Sequence, residues 1–156
     1  MASNRHLGRI IALQTLYEQD FRRNAGDKNL DLGAILERNI KRYEGTVEDK
    51  SFIERLVQGV NAKADELDSA LQPIAPEWPI DQIARMDRVI LRMGLYELTY
   101  GQDVPPKVVI NEAVELAKAF GSENSSKFIN GVLGTALRKR DEGRGTSELK
   151  GLQKEG

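Results

Sequence analysis

Apolar residues recur along this chain at three- and four-residue spacing, and glycine, proline or polar clusters break the pattern into helix-sized pieces. Leu7, Ile10, Leu13, Tyr17 and Phe21 define one face of a first helix, with Ser3 or Asn4 as its cap. Ala12 and Leu16 lie close to the opposite side. They predict a helix packed on two sides with a projecting basic end. The polar stretch from Asn24 to Asn29 is a loop, after which Asp31 caps a second helix built on Leu32, Ile35, Leu36, Ile40 and Tyr43. Gly45 ends that helix. Thr46 opens a long third one, striped by Phe52, Leu56, Val60, Leu67 and Leu71. Pro73, Pro76 and Pro79 form a connector that no helix crosses. A short turn follows, with Asp87 as the N-cap of a helix over Val89 to Tyr100 that is apolar almost all round and therefore central.

Gly101 and Pro105-Pro106 reset the chain for a sixth helix, which buries Val109, Ile110, Ala113, Val114, Ala117 and Phe120 and stops at Gly121. The last helix runs from Ser125 or Ser126 to about Arg140. Nowhere does a period of two persist, so the expected fold is all-α with about seven helices. The tail from Asp141 has four glycines, alternating charges and little to bury. It is expected to be disordered, leaving residues 1–140 as a single domain.

Composition narrows the chemistry. At 156 residues the chain can bury one real core. The absence of cysteine removes disulfides, thiolate metal sites and cysteine nucleophiles. The one histidine, His6, lies near a chain end, a poor place for a rigid catalytic base. No apolar run approaches the roughly 20 residues of a membrane span, and the start lacks the apolar stretch of a secretory signal. A cytoplasmic protein is expected, with no membrane contact. With 23 basic and 24 acidic residues the net charge is −1, so a polyanion would have to be held by a local patch.

Two segments carry such a patch. From Met1 to Tyr17 there is no acidic residue, and Arg5, His6 and Arg9 stand where the helix dipole disfavours cations, which points to an outside partner. The second segment joins the last two helices. Ser122 to Ser126 form a polar loop, followed directly by a cation, Lys127, and a ring, Phe128. A helix start with free N–H groups beside a cation and an aromatic suits a phosphate and a base. Phe128 has two readings, core residue or stacking platform, and the polar loop before it favours exposure. Asn130 and Gly131 in mid-helix suggest a close helix approach or a polar contact. Glu112 and Glu115 are spaced like bundle metal ligands but lack the accompanying histidines. GRGTSELKG near the end neither follows a strand nor opens a helix, so it is no phosphate loop. No cofactor is expected.

Three blocks in order resemble the NusB family: ALQTLYEQD from Ala12, MDRVILRMGLYEL from Met86, and VPPKVVINEAVELAKAFGSENSSKFINGVL from Val104. The resemblance implies two packed helical sub-bundles and no enzymatic activity. It implies binding of boxA-type single-stranded RNA from ribosomal transcripts, together with NusE, a small-subunit ribosomal protein, in an RNA polymerase antitermination complex. By position it assigns RNA contacts to Arg5, His6, Arg9, Arg88, Asn124, Ser125, Lys127 and Phe128. It assigns the NusE side to Tyr17, Asp81 and Asp87. The arginine run at the N-terminus is thinner here than in many relatives. Asn124 stands where relatives are often acidic, and its neutrality removes repulsion from a phosphate. NusB-like domains also occur fused to ribosomal RNA cytosine methyltransferases. A helical accessory module or homodimer in ribosomal RNA maturation, without RNA binding of its own, is the rival reading.

Overall fold

The computed structural model describes residues 2–75, 79–101 and 103–155, with side-chain surroundings given between 5 and 143. Seven α-helices are present among them: α1 (Ala2–Asn24), α2 (Leu32–Arg42), α3 (Lys50–Ala62), α4 (Ala64–Leu71), α5 (Arg85–Tyr100), α6 (Pro106–Phe120) and α7 (Ser125–Glu155). Two 3₁₀ turns, Gln72–Ile74 and Ile80–Gln82, separate α4 from α5. Pro76 lies outside the described residues. Among the described residues there is no strand, and no helix is long and apolar enough to cross a membrane.

The helices sort into two sub-bundles. In the first, α1 packs on α2 and α3; in the second, α5, α6 and α7 pack on one another, with α4 against α5. The halves meet where α1 and α3 press on α5. The near-continuous apolar surface of α5 follows from this position: Val89, Ile90, Leu91, Met93, Leu95 and Leu98 are all buried. Gly94 lets α7 come close, since a Cβ there would stand 2.7 Å from a Leu133 methyl. Gly59 does the same for Tyr96, whose hydroxyl occupies the place of a Cβ.

Several sequence expectations are corrected by the packing. The long third helix is two helices, because Lys63 leaves helical geometry (φ −105°, ψ 13°). The break turns Leu67 and Leu71 onto the core. Its start is Asp49 and not Thr46: the Asp49 carboxylate accepts from the Phe52 N–H at 3.1 Å. Asp31 does cap α2, accepting from the Ala34 N–H at 3.2 Å. Asp87 is not the cap of α5. That helix begins at Arg85, so Asp87 sits inside its first turn, and Ala84 holds the cap position without a side-chain hydrogen bond. Two residues expected in the core are exposed, Phe21 at 52% and Phe120 at 36%. Gly131 is not at a helix crossing; nothing lies within 4 Å of a Cβ built there. The backbone of α7 is helical to Glu155, beyond the expected limit at Arg140. The last buried apolar residue on it is Ala136, with Leu137 half-buried, so the apolar stripe ends where the sequence pattern ended.

Candidate nucleic-acid interface

The two basic segments singled out in the sequence receive opposite treatment from the fold. At the start of α1 the cations are met by carboxylates from other helices. Gly8 allows α1 to approach α3 closely, with Ile53 and Phe52 only 3.1 and 3.3 Å from a hypothetical Cβ. That approach sinks the neighbouring Arg9 to 2% exposure. Its guanidinium donates twice to Glu97 on α5, at 2.8 Å from Nε and 2.8 Å from Nη2, and lies 3.9 Å from Glu112 on α6. Arg9 therefore offers nothing to an outside phosphate and ties α1 to α5. Glu97 was the available clue, as the one carboxylate in the apolar run from Val89 to Tyr100.

Arg5 and His6 remain nearer the surface. The Arg5 guanidinium lies 4.5 Å from the centre of the Phe52 ring, 3.0 Å from Asp103 and 3.7 Å from Asp49. The hydrogen bond from Arg5 holds the Asp103 carboxyl below its usual range. Asp49 is held below its range first by the Ser51 hydroxyl and the Phe52 N–H, with Arg5 adding to it. His6 Nδ1 is 2.7 Å from Glu112, which takes that carboxylate out of any metal pairing with Glu115. Arg88 sits elsewhere than expected. It donates to Asp20 at 2.8 Å, in a cluster where Arg85 also donates to Asp20 at 2.9 Å and Arg92 bridges Asp20 and Asp68. The cluster fastens α1 to α5, and Arg88 is turned inward rather than toward RNA. Burial raises the pKa of Asp20, but hydrogen bonds and charge from the arginines, Arg88 foremost, outweigh it and hold the carboxyl below the ordinary range.

The junction between α6 and α7 is open. Gly121 closes α6 with its N–H on the Ala117 carbonyl at 2.8 Å. Its φ is −89°, so glycine is needed here for space: a Cβ would meet Ser125 Cβ and Oγ at 2.6 Å. Ser125 is 1% exposed, and its Oγ accepts from the Ser122 N–H at 2.8 Å. It shapes the loop and does not face solvent, contrary to the surface role implied for it. Asn124 and Lys127 are exposed, and Lys127 makes no ion pair among the described residues. Phe128 is half-buried, packed on the core at one edge. It walls a cleft of about 250 Å³ shared with Gln82, Ile83, Ala84, Asp87, Ser122, Asn124 and Ser125. Asp87 is 8% exposed and belongs to this cleft, not to an outward partner face. Glu112 and Phe120 are separated by about 12 Å along α6 at 1.5 Å per residue, so Arg5–His6 and Lys127–Phe128 lie toward opposite ends of that helix.

A second cleft, of about 390 Å³, is lined by Leu13, Gln14, Tyr17, Glu18, Phe21, Met86 and Phe120. The guanidinium of Arg85 is 5.2 Å from the Phe21 ring centre and 5.9 Å from that of Tyr17. Asp81 is exposed on the second 3₁₀ turn. The sequence pattern missed this groove because Phe21 and Phe120 fall in register with buried positions of their helices.

An all-helical protein of two sub-bundles, with an open cation–aromatic junction on one and an apolar groove between them, is the class that these features define. Residues 6–138 match the family model described as the NusB family. The chain belongs to that family. It is similar to the transcription antitermination protein NusB of Chloroflexus aggregans, 43% identical over 141 residues, covering 89% of this chain and 90% of the relative. Among solved structures, T. maritima NusB superposes with a TM-score of 0.76 at 31% identity, over 86% of this chain and 90% of that one. A chain from a crystal structure of antitermination factors NusB and NusE with double-stranded RNA shares the fold, with a TM-score of 0.76 at 24% identity over 89% and 99% of the two chains.

Proposed function

We propose that this chain is a non-catalytic RNA-binding adaptor of transcription antitermination. It takes boxA-type single-stranded RNA of ribosomal transcripts jointly with NusE, within an RNA polymerase antitermination complex. The observation that carries the reading is the α6–α7 junction, where exposed Lys127 and the half-buried ring of Phe128 stand at a helix start beside a cleft. Membership of a family whose curated relatives are antitermination proteins supports it.

In this reading Lys127 and the first turn of α7 hold phosphate, Phe128 stacks a base, and Asn124 spares the backbone the repulsion of an acid. Arg5 and His6 extend the track along α6. Arg5 is partly neutralised by Asp49 and Asp103, so its contribution is smaller than its charge suggests. Arg9 and Arg88 keep the frame that carries these groups. Tyr17, with Phe21 and Phe120, forms the protein-facing groove, and Asp81 flanks it as an exposed anion. NusE docks there.

The test is fluorescence anisotropy of a labelled boxA-type RNA across a salt series, with and without NusE. Binding that tightens with NusE and weakens with salt is expected. No binding at low salt with NusE present would sink the reading. The exposed apolar groove also favours a homodimer, which light scattering detects. A dimer that persists with NusE and binds no RNA would support an accessory module instead.

A further inference from the structure

We infer that the cleft between the start of α5 and the α6–α7 junction reads a base, with Asp87 accepting from the Watson–Crick edge of an unpaired guanine whose face Phe128 covers. The inference rests on the RNA reading above and adds to it a sequence-selecting residue.

Asp87 carries the argument. Its side chain is 8% exposed, its Oδ1 is buried with no hydrogen-bond partner, and no ion pair reaches it among the described residues. A carboxylate oxygen withdrawn from water and left without a donor is costly. Its place in the first turn of α5 lets the helix dipole offset part of that cost but supplies no donor to Oδ1. The oxygen instead lines a cleft together with Ile83, Ala84, Ser122, Asn124 and Phe128. A ligand that brings N–H groups into that cleft satisfies it.

The chemistry selects among ligands. A phosphate is repelled by the carboxylate. A metal ion has one acidic ligand there and no second. Among the bases, guanine alone places two adjacent donors, N1–H and the N2 amine, side by side, matching the two oxygens of a carboxylate. Adenine and cytosine set a ring acceptor beside their amine, and uracil flanks its N3–H with two carbonyls, so each faces one carboxylate oxygen with an acceptor. Phe128 offers the flat apolar face that a base needs. The Asn124 amide can donate to the guanine carbonyl. An arginine from a protein has a similar pair of donors, but Lys127, next to Phe128 on the first turn of α7, repels an arriving guanidinium and attracts a phosphate.

The experiment uses the full chain with NusE and short single-stranded RNAs in which one guanine is replaced in turn by inosine and by adenine. Inosine lacks the N2 amine and nothing else. In the wild type, inosine at one position is expected to weaken binding roughly tenfold, and adenine at least as much. Asp87→Asn should abolish that discrimination while leaving affinity for guanine-free RNA, the salt slope and NusE affinity unchanged. Equal affinity for guanine and adenine at every position, with salt-dependent RNA binding intact, overturns the pocket and spares the RNA reading. No RNA binding at all removes both. Discrimination retained in Asp87→Asn with NusE affinity lost assigns the cleft to a protein cation and overturns the proposal. Should Asp87→Asn fail to fold, the inosine series on the wild type decides alone.

Discussion

The start of α1 and the start of α7 carry the same kind of residues and end in different states. Both are basic, and both look outward from the sequence. At α1, Arg9 is enclosed by Glu97 and Glu112, His6 faces Glu112, and Arg5 stands between Asp49 and Asp103. At α7, Lys127 has no carboxylate and Phe128 keeps part of its ring in the open. A cation's availability is thus decided by the acids that the fold brings to it. Those at α1 come from α3, from α5, from α6 and from the segment before α6, up to about a hundred positions away in the chain.

The largest effect that could break this comparison is on Arg9. Removing it leaves the Glu97 carboxylate buried and unpaired, so Arg9→Ala is expected to lose about 3–5 kcal/mol of stability. RNA affinity per folded molecule should change little. Chemical denaturation with parallel RNA titration checks it. A stable variant with weakened RNA binding would return Arg9 to the surface.

Next in size is the Asp20 cluster. Asp20→Asn should cost about 2–3 kcal/mol, since three arginines converge on that carboxylate. The carboxyl titrates below its ordinary range, so its contribution is complete above an unfolded value of about 3.9 and disappears as pH falls through the lower folded value. The stability gap between wild type and Asp20→Asn should therefore be full near neutrality and close below about pH 4. A gap independent of pH would mean that the charge is not what stabilises.

Phe128→Ala sharpens the other side. The ring is half-buried, so about 1–2 kcal/mol of stability should go, less than for a core phenylalanine. About 1–3 kcal/mol of RNA binding should go with it. Thermal melts and anisotropy separate the two, and a loss of stability alone would make Phe128 simple packing.

The smallest effect falls on Lys127. Lys127→Ala should stay within about 0.5 kcal/mol of wild-type stability. The salt slope of RNA binding should fall by roughly 0.7, the value for one lost phosphate contact to a single strand. Arg5→Ala should lower it by less, because Asp49 and Asp103 already answer that charge. Equal slopes for wild type and Lys127→Ala would leave the junction without its phosphate contact.

Much of the fold was determined by the sequence alone, because helix formation is local. The spacing of Leu32, Ile35 and Leu36, the cap at Asp31 and the break at Gly121 act within a few residues, and they place α2, α5, α6 and most of α7 without tertiary information. The three blocks of family resemblance belong to the sequence for the same reason, as does the pairing of Lys127 with Phe128. Tertiary structure decided what depends on which helix faces which. Lys63 breaks a helix that its apolar stripe would have continued. Phe21 and Phe120, in register with buried neighbours, end at a groove instead of the core. Arg9 and Arg88 became internal fasteners, while Asp87, which resembled a cap, became an unpartnered acceptor beside Phe128. Charge and burial are properties of three-dimensional neighbourhoods, and the neighbours that fix them here come from distant helices that periodicity cannot pair.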